Sequence, residues 1–133
     1  MMLTHLLDTN ICSFAIMGHP KAFARLQALD NTQWCISSIV LAELQYGLTK
    51  GKLSPGSKTA LELFLRMAPV VPFDSKAARS ASQARFDLER IGKPAGAVDQ
   101  LIAGHAISLG LVLVTDNLKH FEQVPQLKVE NWL

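Results

Sequence analysis

"LVLVT", residues 111–115, is the most strongly patterned strand in the sequence. It is a short, uninterrupted apolar run with several β-branched residues, as expected for a strand that is covered on both faces. Residues 98–109, directly before it, have the length and apolar spacing of a helix that ends at Gly110. This end of the chain therefore predicts a helix that leads into a buried strand.

The same alternation of strand and helix extends back through the chain. Shorter strands are expected at 4–7, 34–37 ("WCIS") and 70–73 ("VVPF"), and "KVENW" (128–132) adds an edge strand. Pro72 also favours an edge position for its strand. Helices are predicted over 11–17, 20–29, 39–48, 57–67 and 74–91, with loops at 50–57 and 93–97. The pattern predicts one α/β domain over residues 1–133, with a parallel central sheet and helices on both faces.

Composition limits the classes of protein that this chain can represent. Its 133 residues are enough for one core, and 49% of them are hydrophobic, which excludes a disordered chain. No apolar run is long enough to cross a bilayer, and no export signal is expected. Cys12 and Cys35 lie in apolar surroundings, typical of reduced core residues, so we expect a cytoplasmic protein without a disulfide.

Two acids directly follow predicted strands. Asp8 ends the stretch "LLDTN" (6–10), and Asp116 follows residues 111–115. In parallel sheets, ligands bind beyond the carboxyl ends of the strands, so both side chains belong at that edge. An N-cap for the next helix is an equally simple role for Asp8, with Thr9 and Asn10 as alternative caps.

Two further acids lie in apolar helices. Glu43 shares a helix face with Val40, Leu44 and Gly47, so we expect its carboxylate among apolar neighbours, where an unpaired charge is costly. Asp99 begins another apolar helix, where it also favours the helix dipole. Acids that converge need shared protons or a cation, and an all-oxygen site favours Mg²⁺ or Mn²⁺. If four acids gather in one cleft, seven remain against thirteen Lys and Arg, a balance that attracts polyanions.

Four motifs resemble a known family: "LLDTNIC", "ISSIVLAELQYG", "GAVDQLIAGHAISLGLVLVTDN" and "HFEQVPQLKVENWL". In this order and spacing they are similar to the PIN-domain ribonucleases of the VapC toxin type over essentially the whole chain. The resemblance implies a small nuclease that dimerises and cleaves RNA with Mg²⁺ or Mn²⁺. It also implies a VapB-type antitoxin whose C-terminal segment covers the cleft. The layout resembles the subgroup that cuts initiator tRNA in the anticodon loop.

The resemblance also implies site residues. The acidic set maps to Asp8, Glu43 and Asp99. Our mechanistic hypothesis makes Asp8 and Asp99 the main ligands of the ion, with Glu43 completing the site directly or through water. At the fourth position the family pattern points to Asn117, whereas Asp116 stands beside it, so the choice between the two is open. The supporting residues are Thr9, Asn10, Ser38 and Asn117.

Other functions are compatible with parts of the pattern. A Mg²⁺-dependent phosphatase of the haloacid dehalogenase type needs an acid two residues after its nucleophilic Asp, and position 10 is Asn. A non-catalytic module that only binds RNA or antitoxin has no need of four acids. His105 is expected to pack or lie on the surface rather than act as a base, and Trp34 and Trp132 are expected to be packing residues.

Overall fold

The computed structural model describes residues 2–93 and 96–133. Five strands lie in this part of the chain: β1 (His5–Leu7), β2 (Trp34–Ser37), β3 (Val70–Val71), β4 (Val112–Val114) and β5 (Lys128–Glu130). They form one sheet in the order β3-β2-β1-β4-β5, and every neighbouring pair is parallel. The predicted parallel α/β sheet is confirmed, with β3 and β5 at its edges.

Seven helices connect the strands within the described residues. They are α1 (Thr9–Ile16), α2 (Pro20–Gln27), α3 (Ser38–Thr49), α4 (Pro55–Met67), α5 (Ser75–Arg90), α6 (Ala97–Leu109) and α7 (Leu118–Phe121). The first six were expected, with ends that shift by one or two residues. The sequence did not predict α7, because four residues are too few for a helical apolar pattern to be recognised.

Helix starts are determined by polar side chains that satisfy the first backbone N–H groups. Asp8 caps α1, so this helix begins two residues earlier than predicted, and Ser37 caps α3. Asp74 caps α5 as expected, with its carboxylate accepting from the N–H of Ala77 at 2.9 Å. Ser54 caps α4 and Pro55 takes the first helical position, where its missing N–H costs nothing.

Both faces of the sheet are covered. Leu6 and Leu7 of β1 are fully buried, as are Leu113 and Val114 of β4. Because consecutive strand residues point to opposite faces, this burial requires packing on each side. The two tryptophans are core residues, as predicted: Trp34 stacks on Phe64 with ring centroids 5.7 Å apart, and Trp132 is buried.

Glycine allows α5 and α6 to pack closely. A Cβ at Gly104 would lie 2.2 Å from Cα of Ala81, so only glycine fits at this crossing. Gly110 ends α6 with a φ of 67°, a left-handed conformation that favours glycine, as predicted. The position of α6, which carries Asp99, therefore depends on contacts that leave no room for a side chain at residue 104.

Several details differ from the predictions. The strand expected over 70–73 contains only Val70 and Val71, since Pro72 cannot donate a ladder hydrogen bond. Pro94 and Ala95, in the predicted loop 93–97, lie outside the described residues. Cys12 and Cys35 are buried free thiols, as expected. No helix in the described ranges is both long and apolar enough to cross a membrane.

Candidate active site

The strand order places two acids side by side. The chain leaves β1 on one side for β2 and β3 and reaches β4 on the other side, so the order reverses between β1 and β4. Leu7 pairs with Val114 across these strands, and the N–H of Asp8 donates to the carbonyl of Val114 at 3.0 Å. Asp8 and Asp116 therefore follow adjacent strands at the switch point, where such folds bind their ligands.

Asp8 is buried, and the cap role considered for it is observed directly. One carboxylate oxygen accepts the N–H of Ile11 at 2.9 Å, which caps α1. Its carboxyl also forms a hydrogen bond with the Thr115 side chain. The pKa of Asp8 is raised to about 6: burial is the main cause, the negative charges of Asp116 and Asp99 add to it, and the two hydrogen bonds oppose it. The cap thus places a carboxyl group among other acids.

Asp116 directs a carboxylate oxygen into the protein. Its Oδ1 is buried and has no hydrogen-bond partner within residues 2–93 and 96–133. The next residue is engaged elsewhere: the Asn117 side-chain nitrogen lies 2.7 Å from Nδ1 of His120. An unpaired buried carboxylate oxygen is costly and is the kind of group that a cation stabilises.

Asp99 lies in the first turn of α6 and is half-buried. Burial raises the pKa of its carboxyl, Glu43 and Asp116 raise it as well, and His120 opposes them. Asp99 also contributes to the raised pKa of Asp8. It therefore interacts electrostatically with each of the other three acids.

Glu43 corrects one expectation. Its side chain was predicted to be buried among the apolar residues of α3, but it is exposed, because its side of the helix faces the open edge of the site. It is nevertheless oriented, since the Thr9 hydroxyl donates a short hydrogen bond to its Oε1. The link joins the first turn of α1 to α3, so Thr9 lies where a supporting residue was predicted.

The remaining supporting residues occupy different positions. Asn10 is exposed in the first turn of α1. The Ser38 hydroxyl accepts the N–H of Phe73 at 2.9 Å and so fixes the segment after β3. This oxygen therefore has a structural partner.

Two residues near the acids were not predicted. Thr115 ends the sequence "LVLVT" and was read only as part of a strand, although its buried side chain bonds to Asp8. His120 was given no role in the sequence analysis, yet it lowers the pKa of Asp99. The position of His120 could not be recognised without α7, because this short helix places it one turn after Asn117.

His105 is a packed residue, as predicted. It is 1% exposed, and its Nδ1 lies 2.8 Å from the Ser37 hydroxyl. Burial lowers its pKa, although Asp74 and the Pro72 backbone act in the opposite direction. A neutral imidazole thus ties α6 to the residue that caps α3, the helix of Glu43.

The acids form an open group. Among the described residues, no three His, Cys, Asp or Glu side chains are close enough to form a ready-made metal cluster. The donor set nevertheless fits a hard divalent cation: it is entirely oxygen, Asp8 has a raised pKa, and Oδ1 of Asp116 is unpaired. Carboxylates that repel one another can come closer around such an ion.

Comparison with known proteins gives the class of this fold and site. The PIN-domain family model matches residues 5–127. The chain is 42% identical over 131 residues to the tRNA(fMet)-specific endonuclease VapC of Salmonella typhimurium, covering 98% of this chain and 99% of the relative. It is also 42% identical to Ribonuclease VapC2 of Rickettsia felis, covering 98% of both proteins.

Solved structures give the same result as the sequence comparison. VapBC2 from Rickettsia felis, bound to a DNA fragment from its promoter, superimposes with a TM-score of 0.87 at 40% identity, covering 98% of this chain and 100% of that chain. DNA-bound VapBC from Salmonella typhimurium gives 0.85 at 42% identity, with 99% and 100% covered. The chain belongs to the VapC-type PIN-domain ribonucleases, the toxins of VapBC toxin–antitoxin systems.

Proposed function

We propose that this ribonuclease cuts initiator tRNA in the anticodon stem-loop, with Mg²⁺ or Mn²⁺ held by Asp8, Glu43 and Asp99. The observation that carries the metal proposal is the convergence of these carboxylates with the unpaired Oδ1 of Asp116. The substrate is proposed from the tRNA(fMet) specificity of the Salmonella typhimurium relative, which matches this chain over its full length.

Each acid has a separate task in this mechanism. Asp8, the most buried of the acids, and Asp99 would be the main ligands of the ion. Glu43 would complete the site directly or through water, in the orientation set by the hydroxyl of Thr9. When bound, the ion supplies positive charge that activates water for attack on phosphorus and stabilises the departing 3′-oxygen.

We assign the fourth acidic position to Asp116 rather than Asn117. The support is electrostatic: Asp116 raises the pKa of both Asp8 and Asp99. The Asn117 amide instead pairs with the ring of His120. In this assignment Asp116 would orient the attacking water or support a second ion, while Asn117 pairs with His120 and Ser38 accepts the N–H of Phe73.

An antitoxin would silence the enzyme. A separate apolar groove of about 470 Å³ lies between α1, α2 and α4, and Phe23, Leu63 and Met67 are partly exposed along it. We propose that apolar residues of a VapB-type antitoxin bind there while its C-terminal segment covers the cleft. We further propose that residues 1–133 act as one domain in the cytoplasm.

We propose that a homodimer forms through the end of α5. Phe86 and Ile91, near the end of α5, expose apolar side chains that a second copy would cover. Light scattering of the antitoxin-free protein tests this: a monomer at micromolar concentration would contradict it.

The substrate proposal is tested with purified antitoxin-free protein. Initiator and elongator methionine tRNAs are incubated separately with Mg²⁺ or EDTA, and the products are mapped by primer extension. One Mg²⁺-dependent cut in initiator tRNA is expected. Metal-dependent cleavage of both tRNAs would support the nuclease activity but contradict the proposed preference for initiator tRNA.

A further inference from the structure

A second cavity adjoins the acids. It has a volume of about 180 Å³ and lies between α1, α3 and α4. Thr9 and Glu43, which are linked by a hydrogen bond, belong both to the acid group and to the wall of this cavity. A molecule held at the acids therefore lies at the entrance of the cavity.

The lining combines apolar surface with a few hydroxyl groups. Leu44, Leu53 and Leu61 provide apolar surface, whereas Ser13 and Ser57 add polar edges. Flat apolar faces and polar edges are the two features by which proteins recognise an unpaired nucleobase. The volume suits one such ring and is smaller than the cavities that hold drug-sized molecules, about 300 Å³ and above.

Gly47 keeps this cavity open. A Cβ at this position would lie 3.8 Å from Cδ2 of Leu61, an ordinary van der Waals contact. The backbone there tolerates a side chain, because Gly47 lies within α3 and has no positive φ. A larger residue at position 47 would therefore fill the cavity, one turn after Glu43 on the same face of α3.

Two lysines lie near the cavity, whose wall itself carries the acid Glu43. Lys50, one turn after Gly47, places its Nζ 5.1 Å from the centre of the Tyr46 ring, which is 63% exposed. Lys58 lies on α4 beside Leu53, a residue of the cavity wall. Lysines attract the phosphates on either side of a bound nucleotide, and an exposed tyrosine offers a face for stacking.

We propose that this cavity binds the base of a nucleotide next to the scissile phosphate and so contributes to the choice of cleavage site. The inference rests on the ribonuclease function and on the acids as its reaction centre. The occupant is the RNA substrate rather than an antitoxin residue, because the cavity adjoins Thr9 and Glu43 of the acid group and Lys58 lies beside its wall residue Leu53.

Paired changes in enzyme and substrate test the proposal. A short RNA that the wild type cleaves is synthesised with an abasic residue at one flanking position or the other. Single-turnover cleavage is then measured for the wild type, Gly47→Leu and Gln45→Leu. Gln45 is exposed on the same helix, so the control adds the same side chain outside the cavity.

For the wild type, one of the two abasic substrates is expected to react about 5- to 100-fold more slowly, the range for losing contact with one base. Gly47→Leu should show the same loss on the intact RNA and little further loss on the abasic one. Gln45→Leu should behave as the wild type does. Gly47→Ala, which the structure accommodates, should give a smaller loss in the same pattern. It replaces Gly47→Leu in the experiment if that variant does not fold.

Other outcomes overturn the proposal. If both abasic RNAs are cleaved at the normal rate, no base is held in the cavity. If the abasic and Gly47→Leu losses multiply, the base binds elsewhere. If Gly47→Leu cleaves normally but escapes inhibition by the antitoxin, the cavity belongs to that partner. Failure of the wild type to cleave any RNA would instead reject the ribonuclease function itself.

Discussion

Replacing Asp8 by Asn should make the metal-free protein more stable. The carboxylate of Asp8 is buried beside Asp116 and Asp99, and its pKa is raised to about 6 from 3.8. Asn is an equally good N-cap, so the bond from the Ile11 N–H is retained when the charge is removed. The variant gains stability but loses a carboxylate proposed to bind the metal, a trade-off that is expected at a functional site.

The size of the gain follows from the pKa. A carboxyl whose folded pKa lies above its unfolded value stabilises the protein only when protonated, so stability falls as pH rises from about 4 to about 6. Ionising Asp8 in the folded state therefore costs up to about 3 kcal/mol at neutral pH. For a domain of this size that corresponds to roughly 10 °C in Tm.

Thermal unfolding in EDTA at several values between pH 4.5 and 7.5 measures the effect. The variant should exceed the wild type most at pH 7.5, and the difference should shrink towards pH 4.5. Asp74→Asn is the matched control, because Asp74 also caps a helix but is exposed, and its change should stay within about 0.5 kcal/mol. An Asp8→Asn variant no more stable than the wild type at pH 7.5, or equally stabilised at every pH, would refute this reasoning.

Three further predictions test the site and its support. Mg²⁺ at ten times its Kd should raise wild-type stability by about 1.4 kcal/mol, and an unchanged Tm would argue against the metal site. Glu43→Gln should weaken metal affinity about 10- to 100-fold and recover activity at high Mg²⁺, whereas an affinity equal to that of the wild type would remove Glu43 from the site. Gly104→Ala should lower the free energy of unfolding by about 3 kcal/mol, because its Cβ would collide with Ala81, while Gly56→Ala, in open space, should cause no loss. Equal stability of the two alanine variants would contradict the packing argument.

The sequence was sufficient for the sheet because its strands differ so clearly from their surroundings. Residues 111–115 show continuous apolar character, and the acids at positions 8 and 116 mark the carboxyl ends of two strands that the structure makes neighbours. Crossover rules predict the parallel sheet and the hand of each connection, whereas the order β3-β2-β1-β4-β5 was not predicted and is known from the structure. Short elements such as α7 carry too little periodicity to be predicted.

The sequence was less informative about the surroundings of the acids. Apolar neighbours along α3 predicted a buried Glu43, but exposure depends on which side of the helix faces the sheet edge, and this is a tertiary property. The bonds from Thr115 to Asp8 and from Thr9 to Glu43 join residues 107 and 34 positions apart. Such contacts leave no local pattern, so Thr115 and His120 could be recognised only in the folded chain.

The most direct test of the central claim is the single-turnover cleavage of initiator tRNA as Mg²⁺ is titrated, for the wild type and for Asp99→Asn. Asp99 is the acid coupled to the other three, so the variant should lose cleavage by at least about 1000-fold while it retains the wild-type circular dichroism spectrum. The wild-type rate should rise with Mg²⁺ to a plateau and vanish in EDTA. Cleavage that persists in EDTA, or that Asp99→Asn retains, would contradict a ribonuclease centre built from these four carboxylates.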